Sequence, residues 1–245
     1  MLMAQLLYLE DSYLKEIKAK IVDEKGIEGK KAVVLDKTIF YPTSGGQAND
    51  TGKLVVDGEE IEVYDVKKID NEVFHFVKTS ENLVSKEAIC KIDWEKRYMH
   101  MRLHSALHLI DGVIVRYFKE LNAFITGSAI FDDYARVDFD FENGTREVLQ
   151  KIVDRSNEIA EQGLEIRAKV LSKEEALKNP NLIRTIPGRE LVEKLENVRV
   201  IEIIGLDEQM DAGTHVKNTK EIGKIVLSSY ESKGKHNKRV KITLY

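Results

Sequence analysis

Met99-His100-Met101-Arg102-Leu103-His104-Ser105-Ala106-Leu107-His108-Leu109-Ile110-Asp111-Gly112-Val113-Ile114 marks the place where the chain changes its period. Met99, Leu103, Ala106, Leu107, Ile110, Val113 and Ile114 recur at helical spacing, and Asp93 stands ahead of them as a candidate N-cap. A helix is therefore expected from Asp93 to about Leu121. Upstream the pattern is different. Ala32-Val33-Val34-Leu35, Lys53-Leu54-Val55-Val56, Ile61-Glu62-Val63 and Val73-Phe74-His75-Phe76-Val77 are short strand-like runs separated by Glu28-Gly29, Asp57-Gly58 and Asp70-Asn71. Strands at such close intervals predict a small β-barrel or a compact sheet. The expected division is residues 1–92, rich in β, and 93–245, mixed α and β.

In the second part, strands are expected around Ser128 to Phe131, Arg136 to Phe141, Val198 to Ile204, Gly223 to Ser229 and Val240 to Leu244. A helix is expected from Thr145 to Gln162, with Val148, Ile152, Ile159 and Ala160 on its buried stripe. Ser172 and Glu175 form a capping box for a further helix that ends before Pro180. The fold class is α+β.

The helix that opens the second part also carries chemistry. His104 and His108, at i and i+4, project from one face, close enough for two imidazole nitrogens to meet one cation. Asp211-Ala212-Gly213-Thr214-His215 repeats the offset with a carboxylate in the first place. Three nitrogens and an oxygen suit zinc. The competing reading of any one histidine is a hydrogen-bonded core residue. A zinc protease is not expected, because Ser105, Ala106 and Leu107 leave no glutamate between the histidines to act as base. His100 lies on the same stripe, with a supporting or surface role, and His75 is a structural residue of a strand.

Phe40-Tyr41-Pro42-Thr43-Ser44-Gly45-Gly46-Gln47 is a turn-rich loop between β-like segments. Gly45 and Gly46 permit backbone angles closed to other residues, so backbone N–H groups can approach a ligand, and Gln47 adds a donor and an acceptor. A Gly-Gly turn alone also simply joins strands. With the loop, the His104/His108 helix and Gly213-Thr214-His215-Val216, Asn218-Thr219 and Glu221-Ile222-Gly223 in order, the chain resembles the alanyl-tRNA editing proteins. These are free-standing relatives of the alanyl-tRNA synthetase editing domain, and the likeness runs from about Leu7 to Leu244. It implies an N-terminal β-domain of barrel type and an editing domain of the threonyl/alanyl-tRNA synthetase type. It further implies one zinc ion per chain on His104, His108, Asp211 and His215.

Two positions depart from the family pattern. Asp211 stands where relatives have a cysteine ligand, and Ser44 where many have glycine. A hard carboxylate in place of a thiolate admits other divalent ions more readily, or else the three histidines and a water suffice.

The activity that the resemblance implies is hydrolysis of the aminoacyl ester of mischarged Ser-tRNA(Ala), with Gly-tRNA(Ala) as an additional substrate. Gln47, backed by Gly45 and Gly46, would hold substrate or water; an amide cannot act as a base near neutrality. Thr126, in Ile125-Thr126-Gly127-Ser128, falls where the family has substrate-recognition residues and is the candidate reader of the serine hydroxyl; the alternative is a threonine packed at a turn. A non-catalytic, metal-stabilised RNA-binding module and a metal-dependent small-ester hydrolase remain as rival readings.

Composition fits an enzyme of this kind. The 245 residues suffice for one large or two modest cores, and 33% charged with 42% hydrophobic content is ordinary. A net charge of −4 is unusual for an RNA binder, but Lys233, Lys235, His236, Lys238, Arg239 and Lys241 cluster near the end. Lys235, Lys238, Arg239 and Lys241 are the candidate phosphate contacts; otherwise the run is a solvated strand-and-turn surface. A single cysteine, Cys90, excludes an internal disulfide and fits a reducing cytoplasm. It is read as a buried small residue rather than a nucleophile. The apolar start is short and followed at once by Glu10 and Asp11, so neither a signal peptide nor a membrane span is expected. No Walker-type loop is present, so the reaction would need no ATP. The chain is too short to hold an activation domain beside this module, and a trans-acting editor with tRNA(Ala) as partner and no required protein partner is expected.

Overall fold

The computed structural model describes residues 4–179, 182, 184 and 192–245. The chain forms two compact units, 1–100 and 101–245. The first begins with β1 (Gln5–Leu6) and the one-turn helix α1 (Leu7–Glu10), and β1 pairs in parallel with β4 (Lys37–Thr38). Six further strands, β2 (Glu16–Ile27), β3 (Lys30–Leu35), β5 (Gly52–Val56), β6 (Glu59–Ile69), β7 (Glu72–Val77) and β8 (Glu87–Ile92), close into an antiparallel barrel in the order β2-β3-β7-β6-β5-β8. Closure is the first of the two alternatives that the sequence left open. Ile21, Val33, Leu35, Leu54, Val63, Val66, Val73, Cys90 and their neighbours fill the interior, as alternation along each strand requires. Cys90 is fully buried, and burial pushes its thiol pKa up to about 12, so it is an inert core residue as expected. His75 is also wholly buried, in the ladder of β7.

Helix α2 (Trp94–Tyr117) begins where the period changes. The carboxylate of Asp93 accepts from the backbone N–H of Lys96, the N-cap that the sequence indicates. A short 3₁₀ turn, Lys119–Leu121, follows the helix. From Leu103 to Ile114 every residue is buried, so this segment is covered all round rather than along the single stripe that the apolar spacing suggests. His100 is fully buried too, which rules out the surface role.

The second unit holds two antiparallel sheets. One runs β14 (Ile225–Ser232), β15 (Asn237–Leu244), β10 (Ala135–Asp140), β9 (Phe124–Ile130); the other runs β11 (Ile166–Ser172), β12 (Asn197–Ile203), β13 (Asp207–Met210). Helix α3 (Arg146–Ala160) is capped by Thr145, whose side chain accepts from Val148 N–H. Its buried face uses Leu149, Ile152, Val153, Ser156, Ile159 and Ala160; Val148, expected inside, is only half-buried. The capping box at Ser172 and Glu175 is present and starts α4 (Lys173–Lys178); Pro180 lies outside the described residues. Among the described residues no helix is long and apolar enough to cross a membrane.

Candidate metal centre

Helical spacing brings His104 and His108 of α2 to one face, with ring centroids 5.1 Å apart. The segment after β13 supplies the other half. Asp211 N–H donates to Arg199 O of β12, and the Arg199 guanidinium donates to the carbonyls of Asp211 and Gly213, 3.0 Å each. Asp211 in turn accepts from Gly213 N–H, which closes a tight Asx turn and aims His215 back at the helix. The ring of His215 lies 4.3 Å from that of His104 and 4.6 Å from that of His108, centroid to centroid. His104, His108, Asp211 and His215 thus each offer a ligand atom, all within 4.8 Å of one another.

Gly213 is required here for space. A Cβ on it would stand 2.2 Å from Cε1 and 2.4 Å from Nδ1 of His104, so the ring lies directly against its backbone. Sequence reading recorded Gly213 as part of a motif; only the packing shows why no side chain fits.

The donor chemistry fits a divalent cation. Tetrahedral zinc, with bonds of about 2.0–2.1 Å, holds neighbouring donors about 3.4 Å apart. Asp211 Oδ1 lies 3.4 Å from His104 Nε2 and 3.9 Å from His108 Nε2, and its Oδ2 lies 3.0 Å from His215 Nε2. Burial pushes the His108 pKa down to about 4 and holds that of His215 well below its usual value, which keeps these imidazoles neutral with free lone pairs. Burial opposes the charge on Asp211, but His104, the hydrogen bond with His215 and His108 together hold its carboxyl well below the usual range. Ser105, buried on α2, supports the set. Its Oγ accepts from Val216 N–H and lies 3.2 Å from His215 Nδ1. A hydroxyl both donates and accepts, so it can receive Nδ1–H when Nε2 is turned to a metal. Ser105 sits between the histidines, where sequence reading took it only as the absence of a base.

The loop residues belong to the first unit. Gly45 and Gly46 have positive φ, 56° and 85°, and Ser44 and Gln47 exchange backbone hydrogen bonds of 3.1 and 2.8 Å, so the turn is tight and needs both glycines. Gln47 is fully buried. Beneath the loop lies a pair that sequence reading missed. Asp50 and Arg97, both fully buried, form an ion pair; Asp50 also accepts from Tyr41 N–H, while Arg97 donates to the carbonyls of Ile39 and Ser12. The pair fixes both ends of the loop, and leaving either charge alone there would be strongly unfavourable. Higher up, Phe40 N–H donates to Thr38 Oγ1, Thr38 lies 2.8 Å from His75 Nε2, and His75 Nδ1 faces Val33 O. A carbonyl only accepts, so Nδ1 carries the proton and Nε2 accepts from Thr38. This buried chain gives His75 the structural place expected of it.

Thr126 is exposed in mid-strand, not at a turn, at a bulge where the pairing of β9 with β10 shifts. Its hydroxyl donates to Asp138 O at 3.2 Å. The basic run is largely engaged with its own sheet and turn. Lys238 is buried, its ammonium donating to Gly234 O and Lys235 O; Arg239 is paired with both oxygens of Asp138. Lys235 pairs with Glu142, and Lys241 lies over the Tyr134 ring.

Residues 8–96 match the family of class II (A) tRNA synthetases, and residues 198–241 match the threonyl and alanyl tRNA synthetase second additional domain. The chain is 43% identical to an alanyl-tRNA editing protein AlaX-M of Saccharolobus solfataricus, with 99% of each chain covered. It is 37% identical to the protein of that description from Methanosarcina barkeri, again over 99% of each. An alanine--tRNA ligase of Pyrococcus furiosus is 36% identical over 90% of this chain, which spans 24% of that larger enzyme.

Proposed function

The chain belongs to the alanyl-tRNA editing proteins of the AlaX-M type, and from that premise we propose that it is a trans-editing deacylase acting on Ser-tRNA(Ala) and, additionally, Gly-tRNA(Ala). The reaction is hydrolysis of the ester between the amino acid and the terminal adenosine. Water adds to the carbonyl carbon, the ester C–O bond breaks, and free amino acid and tRNA leave. The observation that carries this reading is the convergence of His104, His108, Asp211 and His215.

These four residues would hold one zinc ion, which when bound supplies Lewis acidity and a fixed positive charge. The chain itself does the positioning. Ser105 fixes the ring of His215, Arg199 fixes the turn that presents Asp211, and Gly213 makes room for His104. Gln47, on the loop shaped by Gly45 and Gly46, orients the aminoacyl group or the water through its amide. Thr126 reads the serine hydroxyl. Its proton is directed to Asp138 O, so its oxygen is left as the acceptor for the serine O–H. Lys235 and Lys241 are the proposed phosphate contacts, with Lys238 holding the turn that carries Lys235 and Arg239 lying beside Lys241 on β15. The setting is the cytoplasm, where charged tRNA is used.

The chemical need follows from selection by size. A pocket that accepts alanine rejects glycine poorly and a small added hydroxyl poorly, so discrimination requires a second, hydrolytic site. A site that hydrogen-bonds the serine hydroxyl leaves polar groups unpaired against alanine, and correct Ala-tRNA survives.

The test compares hydrolysis of Ser-tRNA(Ala), Ala-tRNA(Ala) and a minimal seryl ester by the wild type, by His104→Ala and by His108→Ala, with metal content measured for each. Ser-tRNA(Ala) should be cleaved by far the fastest, with about one zinc per wild-type chain, by the ligand count; the variants should lose metal and activity together. Turnover of the minimal ester alone would make the protein a small-ester hydrolase. Binding of tRNA with no turnover would make it an RNA-binding module.

A further inference from the structure

We propose that Arg184 is a positioning residue of the metal centre, tying the helix that carries His104 and His108 to the strand that leads into Asp211. The inference rests on the reading of those four donors as a metal site and adds a residue from a third segment, the connection between α4 and β12.

Arg184 sends one guanidinium nitrogen to Asp111 Oδ2, 2.5 Å away, and to Asp207 Oδ2, 3.0 Å away; its other terminal nitrogen donates to Asp207 Oδ1. Asp111 stands three residues after His108 on α2, and Asp207 is the first residue of β13, four before Asp211. Both carboxylates are nearly buried, with side-chain exposures of 10% and 8%. The two elements touch at this point. A Cβ on Gly112 would lie 2.7 Å from the Asp207 Cβ, so the helix comes against the start of β13 with no room for a side chain. Gln209 Nε2 donates to Asp207 Oδ2 at 2.8 Å and completes the fixation of that carboxylate.

The arrangement has an unusual logic. Two like charges face each other across the helix–strand contact, one turn away from the donors, and the guanidinium between them is the charge that makes the approach favourable among the described residues. Without Arg184 the carboxylates repel, and the motion that relieves them separates α2 from β13. Separation of these elements is separation of His104 and His108 from Asp211 and His215. A planar fork is needed, because one compact ammonium cannot give Asp207 two parallel hydrogen bonds while also reaching Asp111.

The experiment measures zinc affinity by competition with a chromophoric chelator and records the visible spectrum of the cobalt(II)-loaded protein, for wild type, Arg184→Gln, Arg184→Lys and the double variant Arg184→Gln/Asp111→Asn. Asn157→Ala, which loses the Asn157 hydrogen bonds that tie α3 to β14, serves as a destabilised control in the same unit. Arg184→Gln should raise the zinc Kd at least tenfold and weaken the cobalt bands; Arg184→Lys should give a smaller rise. The double variant, freed of the repulsion, should recover most of the affinity. Asn157→Ala should leave the Kd within twofold of the wild type. If Arg184→Gln does not fold, the double variant and Arg184→Lys decide the matter. A Kd unchanged in Arg184→Lys and Arg184→Gln overturns the proposal, as does a double variant no tighter than Arg184→Gln. Failure of the wild type itself to bind zinc would sink the metal-site reading instead, so the two failures are distinct.

Discussion

Asp211 is the residue on which the character of the centre depends. Its two oxygens face three imidazoles, and it accepts from Gly213 N–H as well, so it both offers a donor atom and shapes the turn. Asp211→Ala should therefore weaken metal binding, whereas Asp211→Cys should retain or tighten zinc, because thiolate suits that ion better than a carboxylate does. Competition titrations of both variants measure this; equal affinity in wild type and both variants would mean that the three histidines suffice. Thr126 answers a separate question. Thr126→Val keeps the branched shape that a strand favours and removes only the hydroxyl. The ratio of Ser-tRNA(Ala) to Ala-tRNA(Ala) cleavage should narrow by about 0.5–1.5 kcal/mol, the net worth of one hydrogen bond at a residue that is exposed in the free protein. Single-turnover rates on the two substrates give the ratio, and an unchanged value would place the hydroxyl reader elsewhere.

Among the elements, the barrel strand β7 carries a titration built into its core. His75 has its pKa pushed from 6.5 down to about 4 by burial, against the hydrogen bond with Val33 O. The unfolded chain takes up a proton between these values that the folded chain refuses. Stability from this group is therefore complete above pH 6.5 and is lost as pH falls toward 4, by about 3 kcal/mol in all. Denaturant midpoints at pH 7 and pH 4.5 should differ less for His75→Asn than for the wild type, although the variant should be weaker at pH 7. Parallel pH profiles would show that the loss arises in other groups. The element scale also shows what sequence can reveal. The onset of α2 and the Ser172/Glu175 box were legible because each is a local signal within one turn of helix. Strands β11 and β13 were not. Val170 is 66% exposed on β11, and β13 reads Asp-Glu-Gln-Met, so neither gives a clean apolar alternation.

At the scale of the whole molecule, the α+β class followed from the change of period at residue 93, since alternation and helical spacing are properties of the chain itself, whereas closure of the barrel did not, because the same short strands also suit a compact sheet. The four donors were legible for the same reason: each pair repeats a four-residue offset. The groups that hold the donors, and those that hold the loop of the first unit, were not. Arg97 meets Asp50 across 47 residues, Arg184 meets Asp111 across 73, and Ser105 meets His215 across 110. Such pairs leave no local pattern and exist only once the chain has folded. The exclusion of sulfur from the centre has a redox consequence. Peroxide damage to cysteine proceeds through the thiolate to sulfenic and then sulfinic acid, and a metal released by that chemistry is lost with its ligand. Imidazole and carboxylate offer no such first step, and the chain's single thiol, Cys90, is sealed in the barrel and protonated at physiological pH. A donor set of imidazoles and a carboxylate therefore does not depend on a reduced thiol for its ligand count.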